Sequence, residues 1–184
     1  MKFSRFSLLL LCLVASSFAV TAQSMFMKVM DPSQIPGESV AANYQNWTEI
    51  SAFNAGSTSE PSGFGGAGGG AGPTIPKCFT ISMRQDRMAY YLKREMFLGG
   101  TLVSIQMDFT RSSGQGAEVL LYRVQMENVY VTAIEEATSG DGVVTMNVSF
   151  TPERFRYTYW PQSPTGSLGT PVTFGWNVTT NQTW

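Results

Sequence analysis

The chain has 184 residues, with 12 basic and 13 acidic side chains and no histidine. This length fits one domain, or one domain plus a processed segment. The absence of histidine removes the commonest general base, the usual metal ligand and the histidine-activated serine or cysteine nucleophiles. The near balance of charge, without any run of like charge, argues against nucleic acid as a partner.

The first 22 residues have the layout of a Sec signal peptide. Lys2 and Arg5 form a short positive head, residues 8–14 form an apolar run, and residues 20–22 form a small-residue tail. We expect cleavage after this tail, which leaves one mature domain over 23–184 with 10 basic and 13 acidic side chains, a net charge of −3. The exported chain is then periplasmic or secreted, without a membrane span. An uncleaved anchor is the alternative, but the apolar run is shorter than the about 20 residues of a membrane helix.

Cysteine usage points to a fold held by packing. Removal of the signal removes Cys12 and leaves Cys78 alone, so no intramolecular disulfide is expected even in an oxidising compartment. Because Cys78 is followed by the apolar Phe79, we expect a small buried side chain there, with a reactive thiol as the alternative.

Alternating apolar and polar residues dominate the rest of the chain. In 101–111, one side carries Val103, Ile105, Met107 and Phe109, and the other carries Ser104, Gln106, Asp108 and Thr110. This period is that of a half-buried strand. Similar patterns predict strands at 26–30, 47–53, 117–134, 144–150, 154–159 and 172–178. Several short strands separated by glycine-rich and proline-rich turns are typical of a barrel or a sandwich.

Two local features interrupt this pattern. The apolar face of 117–134 changes sides between Met126 and Val129, which predicts a bulge or bend near Glu127–Asn128. One helix is predicted from Arg87 to Leu98, with Asp86 as its N-cap and Gly99 at the C′ position. Its apolar face would plug one end of a barrel or lie on the barrel wall.

A glycine tract, Gly63 to Gly72, holds seven glycines in ten residues. It formally contains the Gly-x-Gly-x-x-Gly pattern of dinucleotide sites, but Pro73 follows where a helix should begin, so the match reflects composition and we expect no nucleotide. Ordering ten such residues costs on the order of 10–20 kcal/mol. The tract is therefore either a free surface loop or is ordered by a neighbour.

Charged side chains give no convincing active site. Glu135 and Glu136 match the carboxylate pair of a glycosidase in residue type only. Adjacent strand residues face opposite sides, so the two carboxylates cannot flank one bond. We expect both to be solvated charges at the rim. Arg154 and Arg156 share one strand face. These side chains could line a channel, pair with acidic residues of a neighbouring copy, or face water. We expect them to face water.

Two stretches near the C-terminus are more specific indicators of a family than amino-acid composition is. They are Tyr159-Trp160-Pro161-Gln162 and, after a loop, the segment from Pro171 to Asn181. Together they resemble the C-terminal signature of the Hcp (haemolysin-coregulated protein) family, the tube protein of type VI secretion systems. The residues that carry this resemblance are Tyr159, Pro161, Gln162, Pro171, Phe174, Gly175, Trp176, Asn177 and Asn181. The strands at 26–30 and 47–53 resemble the family's first two strands.

The resemblance implies a mainly β fold, a small antiparallel β-barrel with one flanking α-helix. It also implies six-membered rings that stack into a hollow tube, effectors carried in the lumen, and docking to a VgrG-type spike protein. No catalysis, cofactor or metal is expected. A Sec signal departs from the family, whose ordinary members leave through the secretion machine itself.

Within this resemblance the glycine tract is interpreted as an assembly loop that lies against a neighbouring subunit or ring. The residues assigned to it are Gly63, Phe64, Gly65, Gly66, Gly68, Gly69, Gly70 and Gly72. The alternative function is an exported stand-alone binding or adhesion module, which would keep the barrel as a scaffold. It would recognise its target through the exposed loops 63–73 and 163–170.

Overall fold

The structure is a computed structural model, and it describes residues 23–61, 71–112, 118–138, 140–163 and 166–184. The predicted signal peptide therefore lies outside the described residues. The described strands are β1 Gln23–Met30, β2 Gln34–Ile35, β3 Thr48–Asn54, β4 Ser57–Pro61, β5 Ala71–Pro76, β6 Phe79–Arg84, β7 Leu102–Ser112, β8 Glu118–Thr138, β9 Val144–Tyr159, β10 Val172–Asn177 and β11 Gln182–Thr183. The helix is α1, Arg87–Leu98.

Six antiparallel strands close into a barrel in the order β9-β6-β3-β1-β7-β8, with β8 pairing back to β9. The long strand β9 is shared by two partners on one edge. Its first half pairs with β6, and its second half, Arg154–Tyr159, pairs with β10. Strand β10 thus continues the barrel wall beyond the start of β6. The predicted mainly β fold, an antiparallel barrel with one flanking helix, is confirmed.

The barrel interior is filled by apolar side chains, with Met27, Ile81, Met107 and Met126 among the fully buried ones. The alternation expected in β7 holds for Ile105 and Met107 but is wrong for Val103, which is exposed. The reason is that Leu102 turns inward at the start of the strand and takes the buried position.

The bend expected near Glu127–Asn128 is confirmed. Asn128 has a φ of 50°, in the left-handed region. Met126 is buried before it and Val129 after it, so the inward face changes there. The register with β9 is unchanged across the bend, since Glu127 pairs with Arg154 and Val129 with Pro152.

Helix α1 has the predicted ends. The Asp86 side chain accepts a hydrogen bond from the Ala89 N–H at 3.2 Å, and Gly99 ends the helix with a φ of 67°. Met88 and Leu92 are buried, and the helix packs against β8, where the Lys93 Nζ lies 2.5 Å from a Glu136 carboxylate oxygen. The helix therefore flanks the barrel. In the part of the chain that the structure describes, no helix has the length and apolar character needed to cross a membrane.

Cys78 is exposed, so the expectation of a buried side chain is wrong. The residue lies in the short connection between β5 and β6, where the chain enters the barrel wall, and its Sγ lies 3.6 Å from the Thr151 hydroxyl. The apolar residue after Cys78 did not indicate burial of Cys78 itself. Phe79 is the first residue of β6 and points inward, whereas Cys78 precedes the strand and stays outside.

Candidate assembly surface

Aromatic side chains close one end of the barrel interior. Each ring contacts the next, with centroids 5.1 to 6.3 Å apart, and the series returns to its start. We call this set the aromatic collar; its members are Phe53, Phe79, Phe109, Tyr122, Phe155 and Tyr157. Burial raises the pKa of Tyr122 to about 12, because the phenolate is poorly solvated there. The collar is thus an apolar environment.

The apolar surface continues from the collar out along β9 and β10. Phe174 pairs with Tyr157, and Val172 pairs with Tyr159, so these side chains share one face of the sheet. Exposure increases along this face, from 6% at Phe155 through 52% at Phe174 to 63% at Val172. The apolar surface is therefore continuous from the buried core to the solvent-exposed side chains of β10. We call Tyr159, Val172, Phe174 and Trp176 the β9–β10 face.

A cleft separates this face from the base of the β4–β5 hairpin. Its walls are aromatic on the barrel side and small on the hairpin side, and the lining residues are Gly56, Ser57, Thr74, Pro76, Phe79, Phe155, Tyr157, Phe174 and Trp176. The indole Nε1 of Trp176 is buried and has no hydrogen-bond partner among the described residues. A buried donor without a partner is costly, and here it lies beside an exposed apolar face.

The C-terminal tail folds back over β10. The Trp184 N–H donates to the Gly175 carbonyl at 3.0 Å, and the Trp184 ring lies 4.8 Å from the Arg154 guanidinium and 4.2 Å from that of Arg156. Arg154 Nε also donates to Glu127 at 2.8 Å. Both arginines are partly exposed, so the expectation that they face water holds only in part, because each also contacts the tail of the same chain.

The structure brings part of the predicted C-terminal signature together. Tyr159, Phe174 and Trp176 lie on the β9–β10 face, and Gly175 lies against the tail. Asn177 accepts a hydrogen bond from the Thr180 N–H at 3.0 Å, and Asn181 has a φ of 53°, so both shape the turn into β11. The remaining signature residues, Pro161, Gln162 and Pro171, lie in the connection between β9 and β10. No described contact tests their assignment, nor that of the loop 163–170, of which residues 164 and 165 are not described.

Most of the predicted assembly loop lies outside the described residues. This applies to Gly63, Phe64, Gly65, Gly66, Gly68, Gly69 and Gly70. Gly72 is in β5, which pairs antiparallel with β4. The assignment of the tract to assembly stays a prediction.

One ion pair, between the buried Asp108 and the half-buried Arg123, was not predicted from the sequence. Asp108, expected on the solvent face of β7, is 1% exposed, and both its oxygens accept hydrogen bonds from Arg123 at 2.7 Å. The hydrogen bond to Asp108 raises the pKa of Arg123. Burial and the nearby Asp108 carboxylate raise the pKa of Tyr44 to about 12, and the Tyr44 ring stacks on Phe26 at 4.2 Å. The loop that carries Tyr44 therefore covers this part of the outer wall.

The rim carboxylates behave as expected. Glu135 and Glu136 are both exposed. Among the described residues, no three Cys, Asp or Glu side chains cluster in a way that would hold a metal ion.

Solved structures show which class of fold this is. A type six secretion system protein has 18% identity and a TM-score of 0.80, with 89% of this chain and 100% of that chain covered. Hcp1 from Salmonella typhimurium has 15% identity and a TM-score of 0.70, with 89% and 99% covered. A type VI secretion system effector from Yersinia pestis has 18% identity and a TM-score of 0.65, with 84% and 99% covered. The fold is thus that of type VI secretion barrels.

The family follows from the sequence. The model of the family described as "Type VI secretion system effector, Hcp" matches residues 26–159. The chain belongs to the Hcp family, whose members are tube-like structural proteins of type VI secretion. The match ends at Tyr159, so the rest of the C-terminal signature lies beyond it. No curated protein sequence matches the chain.

Proposed function

We propose that this chain is a non-enzymatic subunit that assembles into six-membered rings, which stack into a hollow tube. The family match over residues 26–159 carries this proposal. The β9–β10 face supports it, because an apolar face that continues the core into solvent is typical of a surface that another chain covers. In such a ring the lumen holds effectors, and one end of the tube docks a VgrG-type spike protein.

The test is the mass of the purified protein. Size-exclusion chromatography with light scattering should give one species about six times the mass of the 20.1 kDa chain, less the signal if it is removed. Electron microscopy of the same fraction should show annular particles. A monomer at high concentration contradicts the proposal and favours the stand-alone binding module.

Cargo and spike binding are separate steps with their own test. Rings that carry effectors should retain a co-expressed effector through size-exclusion chromatography, whereas a monomeric variant should not. A VgrG-type protein should bind stacked rings and not free subunits. Equal retention by ring and monomer would contradict carriage in a lumen.

We also infer that the glycine tract acts as the assembly loop. Strands β4 and β5, which flank residues 62–70 in the chain, pair with each other, and this pairing supports the proposal. Contact with a neighbour would offset the cost of ordering so many glycines. Amide hydrogen exchange at residues 65–72 should slow on assembly. Equal protection in monomer and ring would leave the tract as a free surface loop.

Export through the Sec pathway is the remaining proposal. Residues 23–30 form strand β1, which pairs with β7 from Arg111 back to Ser104. Cleavage after residue 22 would leave the barrel whole. The intact mass of the exported protein should equal that of residues 23–184, and deletion of residues 2–22 should leave the chain in the cytoplasm. An exported full-length chain would indicate an uncleaved anchor.

A further inference from the structure

An exposed tyrosine on the outer wall of the barrel borders a cleft that lies apart from the β9–β10 face. Strand β8 changes its inward face at Asn128, so Val129 packs inside the barrel and the next residue, Tyr130, points outward. Tyr130 is 52% exposed, and its hydroxyl has no hydrogen-bond partner among the described residues. The cleft beside it has a volume of about 680 Å³, which is in the range of small-molecule sites.

Four segments of the chain meet at this cleft, which we call the Tyr130 cleft. Thr101 lies between α1 and β7, Asn128 and Tyr130 lie in β8, Glu153 lies in β9, and Thr179 follows β10. The segment after β10 is held in place because the Val178 N–H donates to the Glu153 carbonyl at 2.8 Å. The Asn128 amide donates to the Glu153 carboxylate, so these two side chains are fixed before any ligand binds.

The polar groups of the cleft suit a ligand with several hydroxyl groups. The Thr101 and Thr179 hydroxyls have no hydrogen-bond partner among the described residues, and each can donate and accept. The Asn128 amide keeps one N–H and its carbonyl oxygen, and the Glu153 carboxylate keeps acceptor sites. Among the described residues that line the cleft, Glu153 is the one charged side chain, so an anionic ligand is repelled.

We propose that the Tyr130 cleft binds a neutral saccharide, with one sugar ring lying on the exposed tyrosine. One face of a pyranose ring presents C–H groups with partial positive charge, and the face of an aromatic ring carries partial negative charge, so the two attract. The hydroxyl groups at the edge of the sugar then bond to the polar side chains around Tyr130. This inference goes beyond the proposed self-assembly, because the cleft contains no residue of the β9–β10 face.

Saturation-transfer difference NMR with soluble sugars tests this site. The probes are maltotriose, cellotriose and chitotriose, and at least one of them should receive saturation at its ring C–H protons. Tyr130→Ala should weaken the binding of that sugar at least about tenfold, whereas Tyr130→Phe keeps the ring and should stay within about threefold of the unaltered protein. Tyr90→Ala is the matched control, since Tyr90 is 63% exposed but lies in α1, and it should not change binding.

Two further variants test the polar groups. Asn128→Gly removes the amide but keeps a residue that readily adopts the positive φ of this position, and Glu153→Gln keeps the shape of the side chain without its charge. We expect each to weaken sugar binding about three- to tenfold. Far-UV circular dichroism of every variant confirms that the barrel is folded. If Tyr130→Ala unfolds, Tyr130→Leu replaces it, because leucine is apolar without an aromatic face.

Three outcomes overturn the inference. They are no transfer to any of the sugars at about 10 mM, equal binding by Tyr130→Ala and the unaltered protein, and binding of a neutral-capped Gly-Lys-Gly peptide in place of the sugars, which would make the cleft a cation site. The proposed assembly is judged separately. A chain that binds sugar as a monomer overturns the ring alone, and a ring that binds no sugar overturns this inference alone.

Discussion

Gly175 and Trp184 lie in backbone contact, and a Cβ atom at Gly175 would come within 2.1 Å of the Trp184 carbonyl oxygen. The same hypothetical atom would lie 3.4 Å from the Phe155 carbonyl oxygen. Only the Trp184 oxygen is an obstacle, because 3.4 Å is an ordinary contact distance, and this oxygen can be avoided only if the tail moves. The absence of a side chain at this position therefore allows the C-terminal tail to cover Arg154 and Arg156.

We predict that Gly175→Ala displaces the tail and lowers the free energy of unfolding by about 1–3 kcal/mol, as overpacking does. Loss of the guanidinium contacts should also change the fluorescence of Trp184. Gly140→Ala is the control, because a Cβ atom there meets nothing within 4 Å. A Gly175→Ala protein with unchanged urea midpoint and fluorescence would show that the tail is not held by this contact.

The buried pair of Asp108 and Arg123 gives a second prediction. Asp108→Ala leaves the Arg123 guanidinium, which is 29% exposed, without its carboxylate, so the loss should lie between that of a surface pair and the about 3–5 kcal/mol of a fully buried pair. Replacing both residues, as in Asp108→Leu with Arg123→Met, should cost less than the single change. Urea denaturation monitored by circular dichroism measures both.

The exposed pair of Arg87 and Glu38 is the control for the buried one, with N and O atoms 3.8 Å apart. Breaking it with Glu38→Gln should change the free energy of unfolding by less than about 1 kcal/mol. A cost for Asp108→Ala no larger than this control would mean that the buried pair contributes nothing beyond a surface contact.

The aromatic collar should be a main source of stability. Phe79 is buried and contacts Phe53, Phe155 and Tyr157, so Phe79→Ala should lower the free energy of unfolding by about 3–5 kcal/mol. Tyr130→Ala removes an aromatic ring from the exposed outer face of β8 and should have a much smaller effect. Thermal and urea unfolding of both variants make the comparison. Equal losses would show that the collar is no better packed than the surface.

A pH dependence follows from the cap of α1. Burial raises the pKa of Asp86 above its ordinary value of 3.8, although hydrogen bonds from Thr48 and Ala89 partly oppose this. The folded chain then holds the proton more tightly than the unfolded chain. This contribution to the free energy of unfolding is therefore full below pH 3.8 and is lost as the pH rises through the folded pKa.

Asp86→Asn keeps a side chain that caps helices but does not titrate, so this decline should disappear in the variant. Urea midpoints measured from about pH 3 to pH 6 on both proteins give the difference. Parallel profiles for the two proteins would contradict a raised pKa at Asp86.

Much of the fold could be predicted because it depends on local properties of the chain. The period of two residues in 101–111 located β7, and Asp86 and Gly99 located both ends of α1. The change of side between Met126 and Val129 located the bend at Asn128. Each of these signals is contained within a few consecutive residues.

The amino-acid sequence by itself determined most of the barrel strands, the helix with its caps and the membership of a barrel-forming family. It did not predict β6 or the β4–β5 hairpin. Only the tertiary structure decided what covers the outer wall. Asp108 is buried because the loop of Tyr44 lies over it, and Arg154 is partly covered because the distant Trp184 folds back across Gly175. Alternation tells which residues share a side of a strand, but burial on that side depends on segments brought there by chain closure, many residues away.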